Sequence, residues 1–298
     1  MEGNTMLATP PNSTIDVPKK DKSYPLPRDA AETKRLNDQH SLFKIYCGQN
    51  LIHPSIPKEK IQNIADIGTG TGIWLKDAAE LLTTIPTESG NGRSYSGFDI
   101  SPLQFPKVHQ KGMQFSVHDL LEPFPVEYHG KYDLVHLRFL LAALKEDDVK
   151  IAVKNIVALL RPNGYVQWDD LRYGFAYNRK APDELRASDQ VAEDFSAKFG
   201  VIRNLPGLIT ENFKKEGLQG VIKYEHPPPD TEEKIAAAKA LRLEMAAVMP
   251  RVFLEVGLAK TEEEAKEMTG RNVMTLQKHF DQGLYPILPL ERVIGQKV

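Results

Sequence analysis

The apolar positions of the chain change rhythm near residue 60. Before that point, Leu36, Leu42, Phe43 and Tyr46 form an uneven stripe along 30–46, opened by Asp29 as a candidate N-cap and ended by Gly48. This predicts one helix, with Asp38 to His40 on a solvated face. From residue 61 onward, short apolar runs alternate with helical stretches. The runs 61–67, 93–100, 113–119, 131–137 and 165–169 read as strands, and 72–82, 138–144 and 147–160 as helices. A polar loop fills 83–92 and a turn spans 161–164. Strands separated by helices of this length predict an α/β fold, a parallel sheet with helices on both faces and right-handed crossovers. Beyond residue 170 the pattern loosens. Helices are expected at 182–199, 207–216, 231–247 and from 261 to about 280, with a strand at 218–225. The apolar, proline-broken end, 285–298, suits a last strand at or beside a sheet edge. Residues 1–22 are rich in Pro, Asn, Thr, Ser and Lys and read as a disordered tail, leaving 23–298 as one domain. The stretch from His226 through three prolines to Asp230 reads as a rigid linker.

Composition narrows the class. With 41% hydrophobic and 26% charged residues, the 298-residue chain is ordinary for a globular protein. Its formal net charge of −2 provides no basic field for nucleic acid or an anionic membrane. The single cysteine, Cys47, excludes an intrachain disulfide and leaves too few thiols for structural zinc, so no metal is expected and a cytoplasmic location fits. No apolar run approaches the roughly 20 residues that cross a bilayer. The first residues lack the basic start and apolar core of a secretory signal.

The candidate chemistry begins at Asp66-Ile67-Gly68-Thr69-Gly70-Thr71-Gly72, where glycines stand at every second position after a strand. A dinucleotide loop needs G-x-G-x-x-G, and here the third place falls on Ile73. No Lys-Ser or Lys-Thr follows, which excludes the phosphate-cradling G-x-x-x-x-G-K-[ST] loop. A carboxylate at Asp66 would repel a pyrophosphate and suit an ammonium or sulfonium. Two further acids, Asp99 and Asp119, close the second and third strands. Taken singly, each could be a helix or turn cap. Their order at three successive strand ends is the more specific signal.

This arrangement resembles motif I and the following acids of class I S-adenosylmethionine-dependent methyltransferases. The likeness extends to a subfamily, the fungal LaeA-like or UMTA-like methyltransferases of secondary metabolism. It rests on Tyr24 to His40, on Ile64 to Trp74, on Tyr132 to Arg138, and on Leu160 to Trp168. It implies a Rossmann-like, seven-stranded, mostly parallel sheet with a helical lid from about 24–50, 175–205 and 228–283. It also implies S-adenosyl-L-methionine as cofactor, held at Asp66, Gly68, Gly70, Gly72, Asp99, Ile100, Asp119 and Leu120. The expected reaction is methylation of an O, N or S nucleophile on a small secondary metabolite. Two other readings stay open: a LaeA-like regulator that binds the cofactor and works through protein partners, and a methyltransferase fold recruited to a pericyclic reaction.

His136, near the C-terminal end of the fourth strand, is the candidate general base, with a buried, hydrogen-bonded histidine as the alternative. Asp169 and Asp170 follow the fifth strand and face the same crevice edge or cap the next segment. Arg138 would pair toward Asp99 or Asp119, hold an anionic substrate, or form a structural ion pair. Trp168, Tyr173, Phe175 and Tyr177 cluster as a pocket for a flat apolar metabolite or as packing under the lid. Leu241, Met245, Val248 and Met249 suit a cover over the substrate, a homodimer interface or a protein partner.

Overall fold

The computed structural model describes residues 29–247 and 249–298. The expected tail over 1–22, the lead-in Tyr24 to Arg28 and Val248 lie outside the described residues. In chain order the elements are α1 (Ala30–Tyr46), β1 (Asn63–Ile67), α2 (Ile73–Thr83), β2 (Ser94–Asp99), β3 (Met113–Val117) and β4 (Tyr132–Arg138). There follow α3 (Glu146–Leu159), β5 (Leu160–Leu171), β6 (Ala176–Tyr177), α4 (Asp183–Phe199), α5 (Leu205–Lys215) and β7 (Gln219–Glu225). The chain ends with α6 (Glu232–Ala247), α7 (Pro250–Glu255), α8 (Glu262–Asp281), β8 (Pro286–Ile287) and β9 (Leu290–Gln296).

Seven strands form one sheet in the order β3-β2-β1-β4-β5-β9-β7. The first five are mutually parallel, and β9 runs antiparallel between β5 and β7. The last strand is therefore one place in from the edge, and six of its seven residues are buried. β4 is buried at six of seven positions because helices cover both faces, which explains its continuous apolar run. On one face α2 buries Trp74, Leu75, Ala78, Ala79 and Leu82, the spacing of one helical stripe, against Ile64, Tyr95, Met113 and Leu134. On the other, α3 and α5 bury Val149, Val153, Ile156, Leu205, Ile209 and Phe213 around Trp168.

A further group of helices sits at the C-terminal ends of β4 and β5. α1 packs on α6, α6 on α8, and α8 on α7 and α4. Phe43 and Tyr46 of α1 and Leu241 of α6 share a core with Leu288, Phe139 and Leu171, the last two being where β4 and β5 run out. The N-cap of α1 is as expected, Asp29 Oδ1 accepting from the Glu32 amide at 2.9 Å.

Three local expectations fail for identifiable reasons. No helix forms at 138–144: β4 continues to Arg138, Phe139 takes φ 56°, and a turn follows. The amides there are claimed from outside, Phe139 N–H by the Asp169 carbonyl at 3.0 Å and Leu140 N–H by Asp170 Oδ2 at 2.7 Å. His40 is not solvated but 1% exposed. His226 is no mere linker residue, because its ring is 5% exposed and its Nε2 lies 3.6 Å from Cys47 Sγ.

Candidate functional site

The glycine loop leaves β1 and enters α2 through three left-handed residues, Gly68 (φ 69°), Gly70 (φ 52°) and Gly72 (φ 69°). An L side chain is strained at such angles. At Gly72 a Cβ would also come within 2.7 Å of the Phe115 ring, so the loop and β3 pack too closely for any other residue. Helix α1 lies over this loop: Leu36 is the nearest neighbour of Gly70, and Thr71 Oγ1 donates to Asn37 Oδ1 at 2.7 Å.

The three predicted acids stand at successive strand ends but differ in surroundings. Asp99, half-buried, accepts from the Gly70 amide at 2.8 Å through Oδ2 and from the Ser101 amide at 3.2 Å. It ties the second strand to the glycine loop. Asp119, also half-buried, accepts from the Leu121 amide at 2.9 Å, and its loop is anchored by Asn155 Nδ2 donating to the Leu120 and Glu122 carbonyls. Ile100 follows Asp99 as an apolar side chain 38% exposed, while Leu120 packs partly buried on the core. Asp66 is different. It is 3% exposed, accepts from Thr69 Oγ1 at 2.7 Å and faces His136 Nδ1 at 2.7 Å. Both its oxygens are engaged inside the protein, so it shapes the loop rather than presenting a charge to a ligand.

His136 is 1% exposed and lies under the Trp74 indole, stacked at 3.7 Å with a 3° interplanar angle. Its Nδ1 meets Asp66 and its Nε2 lies 3.5 Å from Asp169 Oδ2. A ring covered on its face and flanked at both nitrogens by carboxylates cannot reach a proton on a substrate, which removes His136 as the general base. Asp169 continues the same chain, receiving Arg292 Nε at 2.5 Å and Gln167 Nε2 at 2.9 Å. Burial alone would raise its pKa, but Arg292 and His136 outweigh that and hold it well below the usual carboxylate range. Asp170, also fully buried, has no cation. Burial pushes it up to about 6, against the pull of hydrogen bonds from the Leu171 and Leu140 amides and the Trp168 indole.

Arg138 meets neither Asp99 nor Asp119. Its Nη2 contacts His40 Nδ1 at 3.0 Å, and its guanidinium lies over the Phe43 ring at 4.9 Å. Sequence reading missed His40, although Leu36, His40 and Phe43 share the i, i+4, i+7 spacing of one helix face. It also missed Arg292, whose signal is the charged pair Glu291–Arg292 set between the apolar Leu290 and Val293–Ile294.

Near the loop, a cavity of about 80 Å³ lies between the end of β5 and helix α6. Tyr173, Phe175 and Tyr177 line it with Met245, Leu141 and Arg242. Three of the four expected aromatics are therefore present. Trp168 is absent because it points into the core, fully buried. Leu141 lines the cavity and its chain neighbour Leu140 lies against Gly68, so two residues of this turn stand between cavity and loop. Arg242, 4% exposed, is held by Asp189 Oδ1 at 2.7 Å. Neither histidine nor carboxylate lines the cavity among the described residues.

Over 156 residues the chain is 45% identical to methyltransferase grgD of a Penicillium species, an alignment covering 52% of this chain and 54% of that protein. Over 154 residues it is 34% identical to N-methyltransferase sirN of Leptosphaeria maculans, covering 52% and 51%. The chain thus spans about half the length of the curated relatives it matches. Among solved structures, phosphoethanolamine N-methyltransferase 2 of Haemonchus contortus aligns with 88% of this chain and 52% of its own, at 18% identity and a TM-score of 0.48. A family model described as a methyltransferase domain matches residues 37–195, from α1 through the glycine loop and the acids to α4. The chain belongs to the methyltransferase domain family.

Proposed function

We propose that the protein transfers a methyl group from S-adenosylmethionine to a nitrogen of a small, largely apolar molecule. The observation that carries this reading is the nearness of the cavity to the strand-end site. Glycine loop, Asp99 and Asp119 line the carboxyl ends of β1, β2 and β3, and the apolar cavity lies near the same loop, across Leu140 and Leu141. Ligands of open α/β sheets bind at these strand ends. When bound, the cofactor would supply an electrophilic methyl to the amine lone pair, leaving S-adenosylhomocysteine and an ammonium product that gives up its proton to water once released.

The chain's own part is binding, alignment and exclusion of water. Asp99, with a carboxylate at the rim of the loop, would accept the ribose hydroxyls. Asp119 would hold the adenine edge, with Ile100 against the ring. The three glycines let the backbone approach closely. His136 and Asp66 act indirectly, bracing the loop through Thr69. Helix α1, with α4, α6, α7 and α8, serves as the lid. Nitrogen is favoured as acceptor because an amine attacks with its own lone pair, whereas a hydroxyl benefits from a base, and neither histidine nor carboxylate lines the cavity wall among the described residues. The relative sirN carries N-methyltransferase in its name.

Incubating the purified chain with methyl-labelled S-adenosylmethionine and a panel of apolar primary and secondary amines tests this reading. Labelled N-methyl products support it. Tight cofactor binding with no transfer to any amine, together with capture of a partner protein, favours the regulatory reading instead. Two substitutions refine the test. Asp99→Ala is expected to weaken binding of S-adenosylhomocysteine by about 1–3 kcal/mol, the loss of a charged hydrogen-bond acceptor; unchanged affinity by calorimetry would remove Asp99 from the ribose. Met245→Trp fills the cavity and should raise the KM for the amine several-fold while cofactor affinity holds. A KM equal to that of the parent protein would place the acceptor elsewhere.

A further inference from the structure

We infer that Arg138 is the binding residue for the carboxylate at the methionyl end of the cofactor. The inference rests on the cofactor reading above and extends it to a residue outside the glycine loop and its three acids.

Arg138 carries a guanidinium that its own surroundings leave uncompensated. Its Nη1 is buried and has no hydrogen-bond partner among the described residues. Its Nη2 bonds to His40 Nδ1, a neutral acceptor rather than a carboxylate. The other ring nitrogen of His40 faces Asp77 Oδ2 at 3.0 Å, and Lys44 pairs with the same carboxylate. The charge of Asp77 is therefore already balanced by Lys44. Burial, followed by the charge of Arg138, lowers the His40 pKa to about 4, so this histidine stays an uncharged acceptor near neutrality. The closest acids in influence, Asp66 and Asp169, are taken by Thr69 with His136 and by Arg292 with Gln167. The guanidinium lies against both the Phe43 and the Phe139 ring, at 4.9 and 5.5 Å from their centres. A cation held by aromatic rings and a neutral imidazole, with one N–H pair still to be met, is suited to an incoming carboxylate.

The sheet order says which carboxylate. The strands run β3-β2-β1-β4, and Asp119, Asp99 and the glycine loop stand at the ends of the first three. A ligand with adenine at Asp119 and ribose at Asp99 has its chain end directed past the glycine loop toward β4. Ile67 pairs with Leu137, so the next residues in register are Gly68 and Arg138. Arg138 occupies the fourth place in that series. His40 belongs to α1 and Asp77 to α2, which puts the guanidinium on the same side as the loop and its covering helix.

The test uses the full chain and three probes in calorimetric titrations: S-adenosylhomocysteine, its carboxamide and 5′-methylthioadenosine, which lacks the amino-acid end. The parent protein is expected to bind the carboxylate form at least about tenfold more tightly than the carboxamide, the range of one charge-assisted pair. Arg138→Gln should erase that preference and leave affinity for 5′-methylthioadenosine unchanged, which also shows that the variant is folded. Equal affinity of the parent protein for the carboxylate and carboxamide overturns the inference and returns Arg138 to an anionic substrate. Retained preference in Arg138→Gln overturns it equally. Should that variant fail to fold, the comparison on the parent protein alone decides. Absence of binding by every adenosine probe would strike the cofactor reading itself, a result distinguishable from all of these.

Discussion

Asp169→Leu is expected to destabilise the folded chain by about 3–5 kcal/mol, the cost of leaving a buried cation without its partner. Arg292 is 1% exposed and sits on β9, directly across from Asp169 on β5 in the antiparallel register. Its Nε donates to Asp169 Oδ1 and its Nη1 to the Asn50 carbonyl at 2.8 Å. With the carboxylate gone, one carbonyl must satisfy a guanidinium that no water reaches. The same substitution strips Gln167 of an acceptor and His136 of its second carboxylate, so the damage spreads to β1 and β4. Arg292→Met should be costly for the mirror-image reason, leaving Asp169 unpaired. The double variant Asp169→Leu with Arg292→Met should recover more than half of the loss, since replacing both charges by apolar groups is often nearly neutral. Urea unfolding of the two single variants and the double variant measures this cycle. If the two single costs simply add, the pair is not the linchpin described here.

The second large effect is on acid stability. His40 and His226, 1% and 5% exposed, are both lowered to about 4, each mainly by burial, then by Arg138 and by Arg292 respectively. Below the ordinary histidine pKa of 6.5 the unfolded chain takes up protons that the folded chain refuses. Unfolded chains then bind more protons than folded ones, and stability falls as the pH drops from 6.5 toward 4. Each histidine contributes a loss of about 3 kcal/mol over that window. Asp170 works the other way. Its folded pKa of about 6 exceeds the ordinary 3.8, so between those values the folded state holds the extra proton. Acidification through that range restores about 3 kcal/mol. The net expectation is a fall in stability between pH 7 and 4 set by the two histidines and reduced by Asp170. His226→Leu should remove nearly half of the histidine contribution, seen as a flatter plot of unfolding free energy against pH. Parallel plots for parent and variant would show that His226 is not the acid-sensitive group.

Asp169 and Arg292 belong to a longer web of buried side chains. From Asp66 on β1 it runs through His136 on β4 and Asp169 on β5 to Arg292 on β9, crossing four neighbouring strands. It braces the glycine loop through Thr69, and Trp74 of α2 lies over its histidine. Mutations at these positions are therefore expected to affect cofactor affinity through the loop even though none of the side chains is open to a ligand.

How much of this was legible in the sequence depended on distance along the chain. Strands and helices from 61 to 225 emerged within a few residues of their observed bounds, because the apolar period is a local property; the exceptions are the 138–144 helix, β6 and the turn expected at 161–164, which falls inside β5. The glycine loop, Asp99 and Asp119 were legible for the same reason, each being tied to the end of its own strand. Local spacing also held evidence that went unread, as at His40, whose place on the Leu36–Phe43 face foretold its burial. For His136 the sequence left base and buried histidine both open and could not choose between them. The choice depends on Asp66 seventy positions earlier and Asp169 thirty-three later, brought together by a strand order that no local pattern specifies. The same holds for the missing helix at 138–144, where amides with helical prospects were captured by Asp169 and Asp170, and for Trp168, which the pleat of β5 turned into the core. By itself the sequence determined the elements and the acids that close the strands, since short-range sterics and periodicity decide those. The tertiary structure alone decided which charges are buried together and which cation is left seeking an anion, since burial and pairing are properties of the assembled sheet.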